Sequence, residues 1–274
     1  TAVGADEVGR LVVHYLQNEG VETTYIPRKA EARTGMAVVG IEPPDKFPLV
    51  FYRENPADIH LTIDDALTVP IADCRAVLLS GTALSRGSGR DVTLFVAEQA
   101  RAAGVTTVID LDLRPDQWDH PRAYGLNLRT ILPQIEIIIG TEEEFFAALA
   151  PDPQQVMRGQ PVTAAQRSEL EELLQTLLQD TAKVLVVKRG PGGVSIYRPG
   201  ESTLNVPGFS VTVVNTVGAG DAFASGLLYG HLQGWDWANA ARFANACGAL
   251  VVTRPGCAAA MPTEPEVTEF LALH

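Results

Sequence analysis

Val211-Thr-Val-Val-Asn-Thr-Val-Gly-Ala-Gly-Asp-Ala-Phe-Ala-Ser-Gly-Leu-Leu-Tyr-Gly230 reads as a strand, a tight glycine turn and a helix in immediate succession. The glycines of Gly218-Ala219-Gly220 let the backbone take positive φ and let a ligand come close. A helix beginning at or near Asp221 points its unpaired N–H groups, and the positive end of its dipole, back into that turn. The result is a binding site for phosphate oxygens. Asp221 beside a phosphate suits a general base that takes the proton of an attacking hydroxyl. An Asp after a glycine turn is equally well explained as a helix cap. The chain has no G-x-x-x-x-G-K-[ST], and Phe223 stands where G-x-G-x-x-G would place its third glycine.

Working outward, short apolar β-branched runs at 77–80, 105–110, 135–139 and 184–187 alternate with amphipathic stretches such as 92–103 and 165–178. That alternation predicts right-handed βαβ crossovers and a mostly parallel sheet covered on both faces. Ligands in such folds sit at the carboxyl ends of the strands. Gly81-Thr82, 110–115, 140–144, 188–193 and the Gly218 turn therefore share one rim. Residues 1–20 carry apolar positions at Val8, Leu11, Val12, Tyr15 and Leu16 and end in Gly20, the pattern of a helix with a glycine cap. Two β-rich pieces, 35–41 and 49–53, flank Pro43-Pro44-Asp45-Lys46 and predict a small β appendage within about 33–63. The 151–161 segment is the one loop polar and irregular enough to be mobile.

The length of 274 residues suits one α/β domain with a small appendage. A net charge of −12 argues against a nucleic-acid or membrane-surface partner, which would want a basic face. Cys74, Cys247 and Cys257 are widely spaced and odd in number, so neither a disulfide framework nor a C-x-x-C site is expected. No apolar run has the length of a membrane span and no signal peptide is visible, so the expectation is a soluble cytoplasmic protein. The five histidines fall in no shared cluster and read as structural or solvated.

The string Asn-Thr-Val-Gly-Ala-Gly-Asp-Ala-Phe-Ala-Ser-Gly at 215–226 resembles the C-terminal signature of the ribokinase-like (PfkB) carbohydrate kinases. The resemblance implies a three-layer α/β sandwich in which the turn, Gly218, Ala219 and Gly220, is an anion hole and Asp221 is the catalytic base, also touching the acceptor. It also implies that the β appendage is a lid over the sugar, and a surface through which copies of the chain could pair. In the family the V-G-x-D-x-x-G pattern of residues 3–9 follows a first strand and a Gly-Gly-Asn-containing sugar loop. Neither is in this sequence, so part of the sugar site is expected to lie before Thr1.

Other rim strings acquire roles through the same resemblance. Asp110-Leu-Asp-Leu-Arg-Pro-Asp-Gln-Trp118 resembles the D-x-x-x-R-P-x-x-W element of sugar-acid kinases, making Arg114 a substrate contact; an internal Asp–Arg bridge explains the local pattern as well. Gly140-Thr-Glu-Glu-Glu144 reads as a capping box on its own, and resembles a family N-x-x-E element whose Glu positions magnesium and its waters. Thr141 replaces the Asn; Glu144 keeps the spacing. Lys188-Arg-Gly-Pro-Gly-Gly193 reads as a β-hairpin turn, and the resemblance assigns Lys188, Gly190 and Gly193 to the ATP phosphates. The alanine-rich helix 238–252, with Asn245, and the 255–262 loop are assigned to the border of the adenine pocket, although small side chains alone mean tight helix packing.

Three features resemble the 5-dehydro-2-deoxygluconokinase branch of the family: Phe51-Tyr-Arg-Glu-Asn55, Asp110–Pro115 and Asn215 where many relatives have Asp. The implied reaction is ATP- and Mg2+-dependent phosphorylation of the terminal hydroxyl of a sugar acid in inositol catabolism. Rivals are 2-keto-3-deoxygluconate kinase, fructokinase and a sugar-binding regulator without turnover. The acid is favoured because an unpaired buried guanidinium at Arg53 or Arg114 would be costly without an anionic partner. Magnesium is expected to arrive with the nucleotide. A potassium ion, bound in some relatives beside the turn, is the further cation to consider at Asn215.

Overall fold

The computed structural model describes residues 1–40, 48–180 and 182–274. Six strands form the central sheet in the order β10-β9-β8-β7-β6-β5: β5 Ala76–Ser80, β6 Thr106–Asp110, β7 Ile137–Thr141, β8 Val184–Lys188, β9 Val194–Tyr197 and β10 Leu204–Val206. The sheet is mixed and mostly parallel, as the alternating pattern predicts. Val108, Ile109, Ile138, Ile139, Leu185, Val186 and Val187 are buried, because both faces of these strands are covered. β5 pairs parallel with β6, whereas β8, β9 and β10 form an antiparallel meander at the other edge. The turn from β8 to β9 follows the predicted hairpin, with Lys188 opposite Val194.

By its internal packing the chain divides into two compact units, residues 1–38, 50–138 and 143–182 in one and 39–49, 139–142 and 183–274 in the other. The first carries helices α1 Glu7–Asn18, α2 Ile63–Leu67, α3 Gly89–Ala102, α4 Pro121–Ile131, α5 Glu142–Leu149 (whose first residue belongs to the second unit), α6 Gln154–Met157 and α7 Ala164–Asp180. Its buried interior includes Leu84, Ile109, Leu111, Tyr124, Leu128, Ile131 and Phe145. Asp6 caps α1 by accepting from the Gly9 N–H, and the helix ends ahead of Gly20 at φ +77°, as expected. The apolar face predicted for α1 is only partly covered: Val12, Tyr15 and Leu16 are half-buried, but Val8 and Leu11 are exposed. β1 Val3–Gly4 pairs parallel with β2 Arg28–Lys29, and β3 Met36–Val39 with β4 Leu49–Tyr52 forms a second two-stranded sheet within the 33–63 stretch. The Pro43–Lys46 punctuation lies outside the described residues. The segment 151–161 is not wholly irregular, since α6 forms there with Val156 and Met157 buried.

The second unit contains α8 Ala219–Leu232, α9 Trp237–Val252 and α10 Glu264–Leu273. α8 and α9 pack through small residues. A Cβ on Gly226 would lie 2.8 Å from Cys247 Sγ and 3.0 Å from the Ala244 Cα, and one on Gly230 would meet Ala240 at 2.9 Å. The reading of residues 211–215 as a strand is corrected. No ladder forms; the N–H groups of Val214 and Asn215 instead donate to the last carbonyl of α9, Val252, at 2.7 and 3.1 Å. Val211 and Val213 still face the core, packed on Phe243, Val251 and Val267 among others. None of the described helices is long and apolar enough to cross a membrane.

α10 opens with a capping box in which Thr263 and Glu266 satisfy each other's backbone N–H groups, and Arg254 adds an ion pair to Glu266 at 2.6 Å. The Thr263 N–H first, then the Arg254 guanidinium, hold the Glu266 carboxyl down at about 2. A depressed carboxylate contributes stability that is complete above its ordinary value of 4.5 and is lost as pH falls toward about 2. Thermal melts across that window should show Glu266→Gln losing less stability on acidification than the wild type; parallel losses would show that the pair contributes nothing.

Candidate active site

In the second unit the glycine stretch is mostly helix. Gly218 alone lies outside it, as the N-cap of α8 at φ +92° and with no side chain capping the helix; Ala219 and Gly220 already belong to the first turn. The helix therefore starts two residues before the predicted position. Asp221, third in the helix and exposed, is not the cap. Its carboxylate lies where the dipole favours negative charge. The corner at Gly218 is enclosed: a Cβ there would stand 3.0 Å from Cys257 Sγ and 3.2 Å from Met261 Cε. Burial, then the charge of Asp221, raise the Cys257 thiol above its ordinary value, so it stays protonated. Lys188 Nζ lies 3.5 Å from the position a Cβ on Gly220 would take, bringing an ammonium to the same helix terminus.

Two other predicted residues in this unit have mainly architectural surroundings. Asn245 donates to the carbonyls of Val206 and Pro207 at 3.3 and 3.0 Å. Gly193, at φ +87°, lets the hairpin pass against that same segment, because a Cβ would sit 2.1 Å from the Val206 carbonyl oxygen. Gly190 at φ +52° is open, with nothing near its Cβ position. Asn215 is fully buried; its Nδ2 donates to the Gly256 carbonyl at 2.6 Å and its Oδ1 accepts from the Val217 N–H at 3.0 Å. Arg189, which sequence reasoning passed over, donates to Glu142 at 3.0 Å and to the Tyr197 hydroxyl at 3.3 Å.

In the first unit the carboxyl end of β6 gathers an acidic cluster. Asp112 has φ +37°, its Oδ2 accepts from Ser80 at 3.0 Å, and its Oδ1 pairs with Arg114 at 3.0 Å. Thr82 donates to the Asp112 carbonyl at 2.5 Å, and Glu144, third in α5, accepts from the Leu113 N–H at 3.1 Å. The Tyr124 hydroxyl donates to the Leu111 carbonyl at 2.9 Å. Burial, then the charges of Glu144, Asp110 and Asp112, push this phenol well above its ordinary range, so it remains a donor. No group of three metal-binding side chains converges among the described residues. Arg53, after β4, pairs with Asp58. Arg114 thus forms the internal Asp–Arg bridge that its local pattern allowed, and the expectation of an unpaired guanidinium is corrected for Arg53, whose aspartate lies five residues on.

A glycine-capped helix terminus with a carboxylate and an ammonium beside it can hold a phosphate and accept a proton. The family model for pfkB family carbohydrate kinases matches residues 1–264. The chain belongs to the PfkB family. It is a sugar kinase. Among curated relatives, the 5-dehydro-2-deoxygluconokinase of Geobacillus kaustophilus is 31% identical over 99% of this chain and 78% of its own length. Among solved structures, a candidate ribokinase II from E. coli in complex with ATP and Mg2+ superposes with a TM-score of 0.85 at 26% identity, covering 100% of this chain and 82% of the other. A double-mutant fructokinase of Vibrio cholerae with fructose, ADP and potassium ion bound gives 0.81 at 25% identity, covering 98% and 83%.

For a PfkB kinase the grouping is informative. Gly218, Ala219, Gly220, Asp221 and Lys188 come together at one helix end, while Arg114 and Glu144 hold adjacent residues after β6, Asp112 and Leu113. Gly193 and Asn245 meet at the 206–208 segment, which they brace. Cys257 and Met261 were assigned by resemblance to a loop near the adenine; their packing on Gly218 had no signal in the sequence. Gly218→Ala places a Cβ at a φ that side chains rarely adopt and against the Cys257 sulfur. The expected outcome is a folded protein whose kcat falls by about 10²-fold, the scale of losing one oxyanion donor. Unchanged far-UV circular dichroism with wild-type turnover would show that the corner does not serve the reaction.

Proposed function

We propose that this chain transfers the γ-phosphoryl group of ATP to the terminal hydroxyl of a six-carbon sugar acid, with 5-dehydro-2-deoxy-D-gluconate as first choice and inositol catabolism as its setting. The observation that carries the reaction is Asp221 in the first turn of α8 behind the left-handed Gly218, with the Lys188 ammonium at the same turn. The acceptor hydroxyl gives its proton to Asp221 as its oxygen bonds to the γ-phosphorus, and the bond from phosphorus to the ADP oxygen breaks. First-turn N–H groups of α8 and Lys188 offset the charge on the transferring group. Magnesium would arrive with the nucleotide, and Glu144, held at the β6 rim by the Leu113 N–H, is the residue assigned to orient the waters of such an ion. Asn215 Oδ1 accepts from the Val217 N–H and keeps a second lone pair with which to meet a potassium ion.

Asp221→Asn should fold normally and lose about 10²- to 10⁴-fold in kcat, a usual range for a general base. Near-normal turnover in a coupled ADP-release assay would remove Asp221 from that role.

The acid as acceptor is supported by the name of the Geobacillus relative and by Arg53 and Arg114 in strings like those of sugar-acid kinases. The Asp58 and Asp112 pairings favour a second reading, a neutral hydroxyl-rich sugar such as fructose, because a charge-balanced Arg–Asp pair suits hydroxyls as well as a carboxylate. On β3 and β4, Met36, Val38, Val50 and Tyr52 are exposed, which supports a lid whose apolar surface is covered by an acceptor or by a second copy of the chain. A panel of sugars and sugar acids with Mg-ATP decides the acceptor. The acids should give the highest kcat/KM, and Arg53→Ala should raise the acid's KM on the order of 10- to 100-fold, as loss of a charge-assisted contact does. Equal or better kcat/KM with fructose or ribose would overturn the sugar-acid assignment.

A further inference from the structure

Among the described residues one buried side-chain polar atom has no hydrogen-bond partner, Nε1 of Trp118. The residue is 7% exposed and its ring meets Tyr124 edge-on, centroids 5.4 Å apart. Buried donors are nearly always paired, because leaving one unpaired forfeits its bond to water without return. The surrounding segment, 111–119, holds a second unfavourable feature in Asp112 at φ +37°. It is fastened to the rest of the unit at several places: Leu111 to Tyr124, Asp112 to Ser80, Leu113 to Glu144, and Gln117 and Asp119 to Arg86. Within the segment, Arg114 pairs with Asp112 through a guanidinium that is 46% exposed, so a ligand oxyanion or hydroxyl can compete for it and alter the segment's internal bonding.

We infer that Trp118 is a positioning residue of this sugar kinase: when an acceptor engages Arg114, the 111–119 segment shifts and the Trp118 indole N–H takes an oxygen partner. Two unfavourable features in one short segment mean that its best-bonded arrangement is a different one. An acceptor that binds that arrangement better draws the segment into it. Trp118 touches no reacting atom in this account; it stabilises the loaded position of Arg114.

Indole ¹⁵N–¹H spectra test this directly, since the chain has three tryptophans and Trp118→Phe assigns the signal. The acceptor used is whichever the wild-type enzyme turns over fastest, acidic or neutral, so an error in the sugar-acid reading leaves the test intact. Loading it should move the Trp118 signal downfield and slow its exchange with solvent. Trp118→Phe keeps the ring on Tyr124 and should leave the melting temperature of the free enzyme unchanged or higher. Its acceptor KM should rise about 3- to 10-fold, the effect of one ordinary hydrogen bond, with the KM for ATP unchanged. An indole signal that does not respond to the acceptor overturns the inference, whether or not the variant folds; so does a folded variant with the wild-type acceptor KM.

Discussion

The close approach of α8 and α9 is the constraint on which the position of the α8 N-terminus depends. Gly226 and Gly230 bring the two helices nearly into backbone contact, with Cys247, Ala244 and Ala240 filling the space that side chains would need. This fixes more than a hydrophobic seam. The end of α9 supplies the Val252 carbonyl that receives Val214 and Asn215, and so sets the path of the chain into Gly218. Asn215 then ties that path to Gly256, and the next residue, Cys257, packs on Gly218. Asp221 inherits its position from this series of contacts.

The β6 rim is built differently, by charges that hold one another. Asp112 is shared between Ser80 and Arg114, Glu144 accepts from Leu113, and Tyr124, buried among carboxylates, is kept as a proton donor to Leu111. Such bonds are directional and can be exchanged, whereas the α8–α9 seam is non-directional and fixed by volume. The rim can therefore exchange its partners, whereas the helix end is held by packing.

Much of this was legible in the sequence because it rests on local pattern. β-branched runs gave the sheet, and the Gly218–Asp221 string marked the anion turn. The 211–215 segment was misread because Val-Thr-Val-Val has strand propensity, while its backbone partner turned out to be a helix carbonyl 37 residues further on, at Val252, which no local pattern encodes. The pairing of Arg53 with Asp58 escaped notice for a related reason: a charge in a polar loop shows its type but not which way it faces. Gly193 and Asn245 carry ligand roles by resemblance, and the structure gives both a further task, bracing Val206 and its neighbours. A glycine required by a ligand and a glycine required by a passing strand look identical in one dimension.

The glycines of α8 bear on the order in which the protein assembles. Gly220, Gly226 and Gly230 each make the helix intrinsically weaker than alanine would, by about 1 kcal/mol per residue in an exposed interior. An isolated α8 is therefore a poor helix, and its terminus with aligned N–H groups exists only once α9 has docked along it. The order of the α8 terminus is therefore coupled to helix docking, so a substitution that opens the α8–α9 seam would loosen both together.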